Sequence, residues 1–399
     1  MNNRIGPTGR QDGLPSQIIK LVRDIYGTGP IPLHRPAFMG NERAYLVDCI
    51  DSNFVSSVGA RVAEFEQRVA TFCGTDHGIA TVNGTAALHA SLILSGVEHG
   101  NEVISQALTF VATANAVSYI GAHPVFVDVD RDTLGMSPTA LRSWLEANTR
   151  GENGGRVNKS TGARIAACVP MHTFGIPSRI AEIAEICAEF GIALIEDAAE
   201  SLGSYVGDHH TGTFGQLATF SFNGNKIITT GGGGVIVTKD AELAARAKYL
   251  TTTAKRSHRY EFFHDETGYN YRMPNLNAAL GVAQMETLPA MLAIKADVAA
   301  RYRDFCAEQG LRFIDAPEGM TTNYWLNAIL LDNRDARDAV LEECNAAGVM
   351  VRPIWRLMTE LPMYEACQND GLENARWLVE RVVNLPSSVP ESDFERLNR

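Results

Sequence analysis

The hydrophobic pattern between residues 35 and 290 alternates between short apolar runs and longer segments with helical spacing. Seven short runs predict β-strands, at residues 78–82, 101–106, 124–129, 164–171, 192–197, 218–222 and 234–238. Several of these runs are apolar at consecutive positions, which is typical of strands covered on both faces. The alternation predicts an α/β fold with a mainly parallel seven-stranded sheet and helices on both sides.

The pattern changes at about residue 290, where a long helix is followed by one strand-like run and a further helix. A smaller α+β domain is therefore predicted over 291–399, after a large domain over 35–290. Residues 1–34 are expected to pack against the small domain. Within the large domain, the polar and glycine-rich stretch 150–164 predicts an exposed excursion.

Composition narrows the class of protein. The 399 residues carry a formal net charge of -11, so non-specific nucleic-acid binding would lack its usual electrostatic basis. The seven cysteines are scattered and form no CxxC pair, which favours reduced thiols in a cytoplasm. The opening residues lack a signal-peptide pattern, and no apolar run reaches the roughly 18–20 residues of a membrane span. We expect a cytoplasmic protein with no nucleic-acid or membrane partner.

The first candidate segment for chemistry is 82–92, where a strand passes through Gly84 and Thr85 into a helix. Free N–H groups and the positive end of the helix dipole make such a turn a place where a phosphate can bind. On its own, the segment could equally be a tight turn with Thr85 as an ordinary N-cap.

The second segment ends the apolar strand at Glu196 and Asp197. Open α/β sheets place their ligand groups at this end of the strands. A carboxylate there could pair with a protonated pyridine nitrogen and keep a cofactor ring an electron sink. It could also simply cap the next helix.

The third segment, 219–238, places Lys226 in a polar turn after an aromatic strand. A lysine can bind a carbonyl cofactor covalently, and Ser221 and Asn223 could donate hydrogen bonds to a phosphate. A lone lysine is more commonly a solvated surface charge. The glycines at Gly231–Gly234 do not fit the dinucleotide fingerprint, because no third glycine stands where G-x-G-x-x-G requires one.

The fourth segment, 268–285, begins with an aromatic loop that precedes a helix and contains the polar residues Asn270 and Arg272. Such a loop can cross an oligomer interface, or it can be an ordinary approach to a helix. The histidines suggest no metal site: His172 is expected to be packed, and the pair His209–His210 lacks partners at zinc spacing and is expected to be solvated.

Six segments of the chain occur together in one order: NGTAAL, LTFVATANAV, PVFVDVD, EDAAESLGS, FSFNGNKIITTGGGG and GYNYRM. With them, the chain resembles the DegT-type aminotransferases of fold type I, which use pyridoxal 5′-phosphate (PLP) to aminate nucleotide-linked keto sugars. The resemblance runs from about residue 31 to the C-terminus. Residues 31–59 and 352–364 look most like the branch that aminates UDP-linked 2-acetamido sugars for legionaminic-acid and related surface glycans.

The resemblance implies a role for each matching residue near the cofactor ring. Lys226 matches the lysine that binds PLP covalently and moves a proton between substrate and cofactor. Asp197 matches the partner of the pyridine nitrogen, and Glu200 the acceptor beside the ring. Phe110 matches the aromatic residue that stacks on the ring face, although it could also be a core phenylalanine.

Further matches surround the cofactor phosphate and the substrate. Four residues match the phosphate-binding cradle: Gly84, Thr85, Ala86 and Ser221. Asn270 matches an asparagine that reaches this phosphate from the neighbouring subunit, so the resemblance implies a homodimer with shared active sites. The loop of Asn53, Phe54, Val55 and Ser56 matches a sugar-contacting segment. The chain departs from many relatives at Arg356–Met358, where they carry a substrate-side histidine.

The expected reaction moves an amino group from glutamate to C4 of a nucleotide-linked 4-keto-6-deoxy sugar, with UDP-2-acetamido-2,6-dideoxy-4-keto-hexose favoured by the branch resemblance. One alternative is a sugar dehydratase of the same fold, in which a histidine takes the lysine position. Lys226 argues against that. Another is a non-catalytic regulator, which would have no chemical need for Lys226, Asp197 and Ser221 together.

Overall fold

The computed structural model describes residues 13–152 and 154–398. Within these residues lie eleven α-helices: α1 (Leu14–Tyr26), α2 (Glu42–Asp51), α3 (Ala60–Cys73), α4 (Gly84–Leu94), α5 (Val111–Tyr119), α6 (Pro138–Asn148), α7 (Ile180–Phe190), α8 (Ala241–Thr251), α9 (Asn275–Gln309), α10 (Arg334–Ala346) and α11 (Glu373–Val379). Short 3₁₀ helices span Thr173–Gly175, Met358–Glu360 and Glu391–Asn398. No helix in the described part of the chain is long and apolar enough to span a bilayer.

The central sheet contains all seven strands that the apolar runs predict. They are β1 (His77–Thr81), β2 (Glu102–Gln106), β3 (His123–Val127), β4 (Arg164–Val169), β5 (Ala193–Asp197), β6 (Leu217–Ser221) and β7 (Gly234–Thr238). Their order is β1-β7-β6-β5-β4-β2-β3. The pairs from β6 to β3 are parallel, whereas β7 is antiparallel to both of its neighbours. The predicted fold class is confirmed.

Both faces of the sheet are covered, which explains the consecutive apolar residues. In β2, Val103 joins a core formed with α4, α5 and α8, whereas the next residue, Ile104, joins a core formed with α6 and α7. In β5, Ile195 and Leu194 divide between the same two cores. Because side chains alternate along a strand, only strands packed on both faces bury such runs completely.

The stretch 150–164 is not a structureless excursion. Thr149–Glu152 and Gly155–Asn158 form an antiparallel hairpin, and the second strand pairs with β4 through Arg156 and Val157. The Arg156 Nε–H donates a hydrogen bond to Thr149 Oγ1 (2.8 Å), which fastens the hairpin to its own root. Polar composition indicated the exposure of residues 150–152, but it hid the second strand, which is half-buried and ends at the buried Asn158.

A second sheet lies in the C-terminal region and is entirely antiparallel, with the order β8-β9-β11-β10. Its strands are β8 (Arg312–Ile314), β9 (Asn327–Leu330), β10 (Arg352–Pro353) and β11 (Val382–Leu385). Residues of α1, α9 and α10 share one buried core with this sheet. Helix α9 runs through the predicted boundary at residue 290, and Pro289 lies inside it. The boundaries themselves stay a prediction.

Further two-residue strands border the central region: Tyr205–Val206 pairs with His209–His210 and Met320–Thr321, and Lys255–Arg256 pairs with Phe263–His264.

Candidate active site

A cavity of about 330 Å³ lies where the carboxyl ends of β5 and β6 approach the first turn of α4. Open α/β sheets bind their ligands at this edge. Seven of the nine predicted catalytic and cofactor-binding residues line the cavity: Gly84, Thr85, Phe110, Asp197, Glu200, Ser221 and Lys226. The fold thus brings together residues that lie up to 142 positions apart in the sequence (Lys226 and Gly84).

Lys226 lies in the turn after β6, where its N–H donates to the Asn223 carbonyl (3.0 Å). Its side chain is 11% exposed, and Nζ donates a hydrogen bond to Glu200 Oε1 at 3.0 Å. Glu200 is buried, and its Oε2 accepts from the Phe174 N–H (2.9 Å). Burial raises the pKa of Glu200, and the Lys226 ammonium group opposes that rise. The carboxylate therefore keeps the lysine amine at the cavity.

Asp197 closes β5 and is 5% exposed. Its Oδ2 accepts from Thr113 Oγ1 (2.7 Å), and its Oδ1 from the Ala199 N–H (3.2 Å). Burial raises the pKa of Asp197, while the Thr113 hydroxyl lowers it. No basic side chain among the described residues forms an ion pair with this carboxylate. A buried acid without an ion-pair partner suits a cationic ring nitrogen.

The first turn of α4 packs closely against the end of β6. A Cβ at Gly84 would lie 2.9 Å from the Ser221 Cβ, so a larger residue would displace Ser221. The N–H of Ala86 is bound by the side chain of Asn83 (2.7 Å), and Ala86 does not line the cavity. The N–H groups of Gly84 and Thr85 have no intrahelical acceptor, since they begin the helix. These two amides and the Ser221 hydroxyl form the polar end of the cavity.

Aromatic side chains form the opposite wall. Phe110 is 49% exposed on the chain surface, and its ring centroid lies 6.4 Å from that of Trp355. Trp325 is buried, and its ring lies 4.1 Å from Lys226 Nζ. Sequence reasoning missed Trp325, Trp355 and Thr113 as cavity residues. Thr113 and Trp355 lie inside segments that carried the family resemblance, but no spacing pattern distinguished them.

Two predicted elements lie away from the cavity within one chain. Asn270 is exposed, and it forms an isolated bridge with Thr252. The residues Asn53–Ser56 are also exposed, and none of them lines the cavity. Their loop is held at the start of α9, where the Asn275 side chain donates to the Phe54 carbonyl (2.6 Å). Their predicted roles stay predictions.

The histidines differ from one another. His172 is fully buried, and its ring contacts Glu196 Oε2 (3.1 Å) and accepts from the Ser178 N–H (3.1 Å), as expected for a packed residue. The expectation that His209–His210 is solvated is wrong for His210, which is 3% exposed. Burial lowers the pKa of His210 to about 4. No group of three or more His, Cys, Asp or Glu in the described residues could hold a metal ion.

The residues present fit PLP. Gly84, Thr85 and Ser221 would hold its phosphate, Asp197 its ring nitrogen, and Lys226 its reactive carbon. A mainly parallel sheet with this set of groups at its carboxyl edge defines a fold-type I PLP-dependent enzyme.

Comparisons with known proteins agree with this class. The sequence profile of the DegT/DnrJ/EryC1/StrS aminotransferase family matches residues 37–395. A GDP-perosamine synthase of Caulobacter vibrioides is 35% identical over 373 residues, covering 92% of this chain and 96% of the relative. The protein EpsN of Bacillus subtilis, named as a pyridoxal phosphate-dependent aminotransferase, is 35% identical over 371 residues, covering 92% and 93%. The aminotransferase TlmJ from Streptoalloteichus hindustanus superposes with a TM-score of 0.81 at 28% identity, covering 92% and 96%.

The chain therefore belongs to the DegT/DnrJ/EryC1/StrS aminotransferase family. The predicted enzyme class and the predicted cofactor, PLP, are both confirmed.

Proposed function

We propose that the protein transfers an amino group from glutamate to C4 of a nucleotide-linked 4-keto-6-deoxy sugar, for surface-glycan biosynthesis. The observation that carries the proposal is the convergence of three groups on one cavity: the Lys226 amine, its partner Glu200 and the buried, hydrogen-bonded carboxylate of Asp197. Membership of a family of sugar aminotransferases supports the choice of substrate class.

Each residue has one task in this proposal. Bound PLP supplies an electron sink for a carbanion at the substrate carbon. Lys226 would hold the cofactor at its reactive carbon, and its amine would carry the proton that leaves and returns at the substrate carbon. Asp197 would hold the ring nitrogen protonated, because a buried carboxylate with no ion-pair partner favours a positive partner. Glu200 keeps the lysine amine oriented between these steps.

Two nucleotides are candidates for the substrate. The resemblance of residues 31–59 and 352–364 favours UDP-2-acetamido-2,6-dideoxy-4-keto-hexose. The similarity to a relative named GDP-perosamine synthase favours a GDP-linked sugar instead. Of the residues in these two segments, Trp355 lines the cavity, whereas Asn53–Ser56 do not.

The proposal includes a homodimer in which Asn270 of one subunit reaches the phosphate held by the other. Asn270 is exposed in the single chain, which leaves it free to act in trans. Large apolar side chains are exposed on α2 and the loop after it: Ile50 is 60% exposed, Phe54 55% and Val58 62%. Such a set of apolar side chains is typical of a surface that a partner covers.

The test is an assay of the purified enzyme with glutamate and a panel of UDP-, GDP- and dTDP-linked 4-keto sugars, with products identified by mass. Formation of an amino sugar with one nucleotide, absent with Lys226→Ala, is the expected result. Loss of a hydroxyl without gain of nitrogen would instead support a dehydratase. A wild-type enzyme that binds PLP and aminates no member of the panel would contradict the proposal.

A further inference from the structure

Trp325 lies two residues before β9, in the C-terminal region, yet it contacts the turn that carries Lys226. Its indole is 4% exposed. The ring centroid lies 4.1 Å from Lys226 Nζ, and Nε1–H donates a hydrogen bond of 2.6 Å to the carbonyl of Asn225. One side chain therefore holds both the lysine amine and the peptide group that directly precedes it.

The same segment also holds Glu200, the other partner of the lysine. Asn323 Nδ2 donates to the carbonyls of Glu200 (2.8 Å) and Leu202 (2.9 Å). Asn323 Oδ1 accepts from the Trp325 N–H (2.8 Å). Asn323 therefore links the backbone of Trp325 to the backbone of Glu200. This link fixes the Trp325 indole relative to the Glu200 carboxylate.

The backbone of Trp325 is fastened from behind by Lys295 of α9. Lys295 Nζ donates to the Trp325 carbonyl (3.2 Å) and to the carbonyl of Ser387. Lys295 is 1% exposed, so water does not compete for these bonds. Trp325 is thus held at its backbone, at its indole Nε1 and at its ring face.

We propose that Trp325 is a positioning residue for Lys226. A lysine side chain has four rotatable bonds and loses much freedom when it is held in one orientation. The face of an indole attracts an ammonium group, and the bond to Asn225 fixes the start of the side chain. Together with Glu200, Trp325 keeps the amine at the cavity, ready to bind the cofactor. The inference rests on the proposed role of Lys226.

This arrangement also distinguishes two contributions of Trp325. The ring face acts on the amine, whereas Nε1–H acts on the backbone of Asn225. Trp325→Phe keeps a ring face and loses the donor, and Trp325→Leu loses both. Trp144→Leu is a matched control, because Trp144 is also 4% exposed but belongs to α6, shares a core with α7 and does not line the cavity.

The experiment removes PLP from the holoenzyme and follows the visible absorbance band of lysine-bound cofactor after PLP is added back. We expect Trp325→Leu to slow formation of the band by about tenfold, because it loses both the cation–π contact and the hydrogen bond. Trp325→Phe should slow it by about threefold, which is within the range for loss of one hydrogen bond. The Trp144→Leu rate should match the wild type, even if its thermal midpoint falls. In turnover, Trp325→Phe should lower kcat and leave KM for the nucleotide sugar unchanged.

Several outcomes would overturn the inference. Wild-type rates of band formation in both Trp325 variants would do so, and so would an equal slowing in Trp144→Leu, which would indicate a general loss of packing. If Trp325→Leu does not fold, the threefold effect of Trp325→Phe decides the matter. Lys226→Ala is measured alongside. A visible band in Lys226→Ala would refute the assignment of Lys226 itself, whereas an effect confined to the Trp325 variants bears on the positioning role only.

Discussion

Two regions differ in how many of their contacts come from the same chain. The first is the inner wall of the cavity, formed by Asp197, Glu200 and Lys226. The second is the pair of outer loops, 53–58 and 268–272. Each charged group of the inner wall is largely buried and hydrogen-bonded to neighbours in the same chain. The outer loops contain Phe54 and Val58, each more than half exposed, and Asn270, which is exposed as well.

This difference indicates that the inner wall serves the chemical step and that the outer loops serve substrate recognition. Burying charged groups is costly unless they are hydrogen-bonded, and the inner wall meets that condition before any ligand binds. Its geometry is therefore preorganised for the cofactor. The outer loops leave apolar and amide groups at the surface, so their contribution depends on a partner subunit or a substrate. Family-wide chemistry should depend on the first region, and the choice of sugar on the second.

The strongest test of the inner wall is Lys226→Ala. We expect it to abolish transamination and the visible band of lysine-bound cofactor, because no other lysine lines the cavity within the described residues. Glu200 would lose its cation, yet the fold should persist, as shown by an unchanged circular dichroism spectrum. Lys239→Ala, at an exposed lysine, is the control. Turnover at the wild-type rate in Lys226→Ala would remove this residue from the mechanism.

Asp197→Asn tests the second group of the inner wall. The amide keeps the size of the side chain, but it cannot hold the ring nitrogen protonated, so kcat should fall by more than about tenfold, or about 1.4 kcal/mol of barrier. Asp128→Asn is a matched control, since Asp128 is a buried carboxylate that accepts from the N–H groups of Asn374 and Ala375 outside the cavity. A smaller loss than this for Asp197→Asn would count against its pairing with the ring.

The central sheet could be predicted from the sequence because its signal is local. A strand buried on both faces must be apolar at successive positions, and β7 matches its predicted bounds of 234–238. The long helix was predicted too late, at about residue 290, whereas α9 begins at Asn275. Pro289 falls inside the helix, where local pattern gives no sign that packing will carry the helix through it.

The residues of the site also differ in whether a local sequence signal identifies them. Lys226 and Asp197 were found because one follows a strand and the other ends one, each in a recognisable segment. Trp325 and His210 were not, because their positions depend on tertiary contacts. The indole of Trp325 meets a carbonyl 100 positions earlier in the chain. His210 is buried because its two-residue strand pairs with Tyr205, which a polar turn does not reveal.

The outer loops are tested by mixing subunits. Asn270→Ala and Lys226→Ala should each be poorly active alone if Asn270 serves the partner's site. A heterodimer of the two would contain one site with both lesions and one with neither, so activity should recover to about half of the wild-type value per heterodimer, because twofold symmetry repeats each contact. Turnover of co-expressed, doubly tagged heterodimers is the measurement.

A control pair strengthens this test. Lys226→Ala mixed with Asp197→Asn should give no recovery, because both residues line one cavity of a single chain. If the Asn270 heterodimers stay as inactive as their parents, Asn270 acts within its own subunit. The outer loops would then not be shared between subunits, while the assignment of the inner wall would stand.

The smallest expected effect on turnover comes from Lys295, which lies behind the inner wall. Burial lowers the pKa of Lys295 to about 7 from its ordinary value of 10.5. Between these pH values the unfolded chain binds a proton that the folded chain does not, so this group makes the protein more stable as pH rises from about 7 to about 10.5. Below that window both states are protonated and the contribution is constant.

Lys295→Met should remove this dependence. The free energy of unfolding of the wild type relative to Lys295→Met should rise by about 1.4 kcal/mol per pH unit inside the window, since Lys295 is 1% exposed and solvent screens it little. Thermal midpoints of the two holoenzymes at several pH values measure this difference, with the exposed Lys239→Met as the control. Parallel midpoints for the wild type and Lys295→Met across the window would mean that Lys295 keeps its charge in the folded state. The carbonyls of Trp325 and Ser387 would then accept hydrogen bonds from a charged ammonium group. The contacts that hold Trp325 behind Lys226 would therefore include a buried charge.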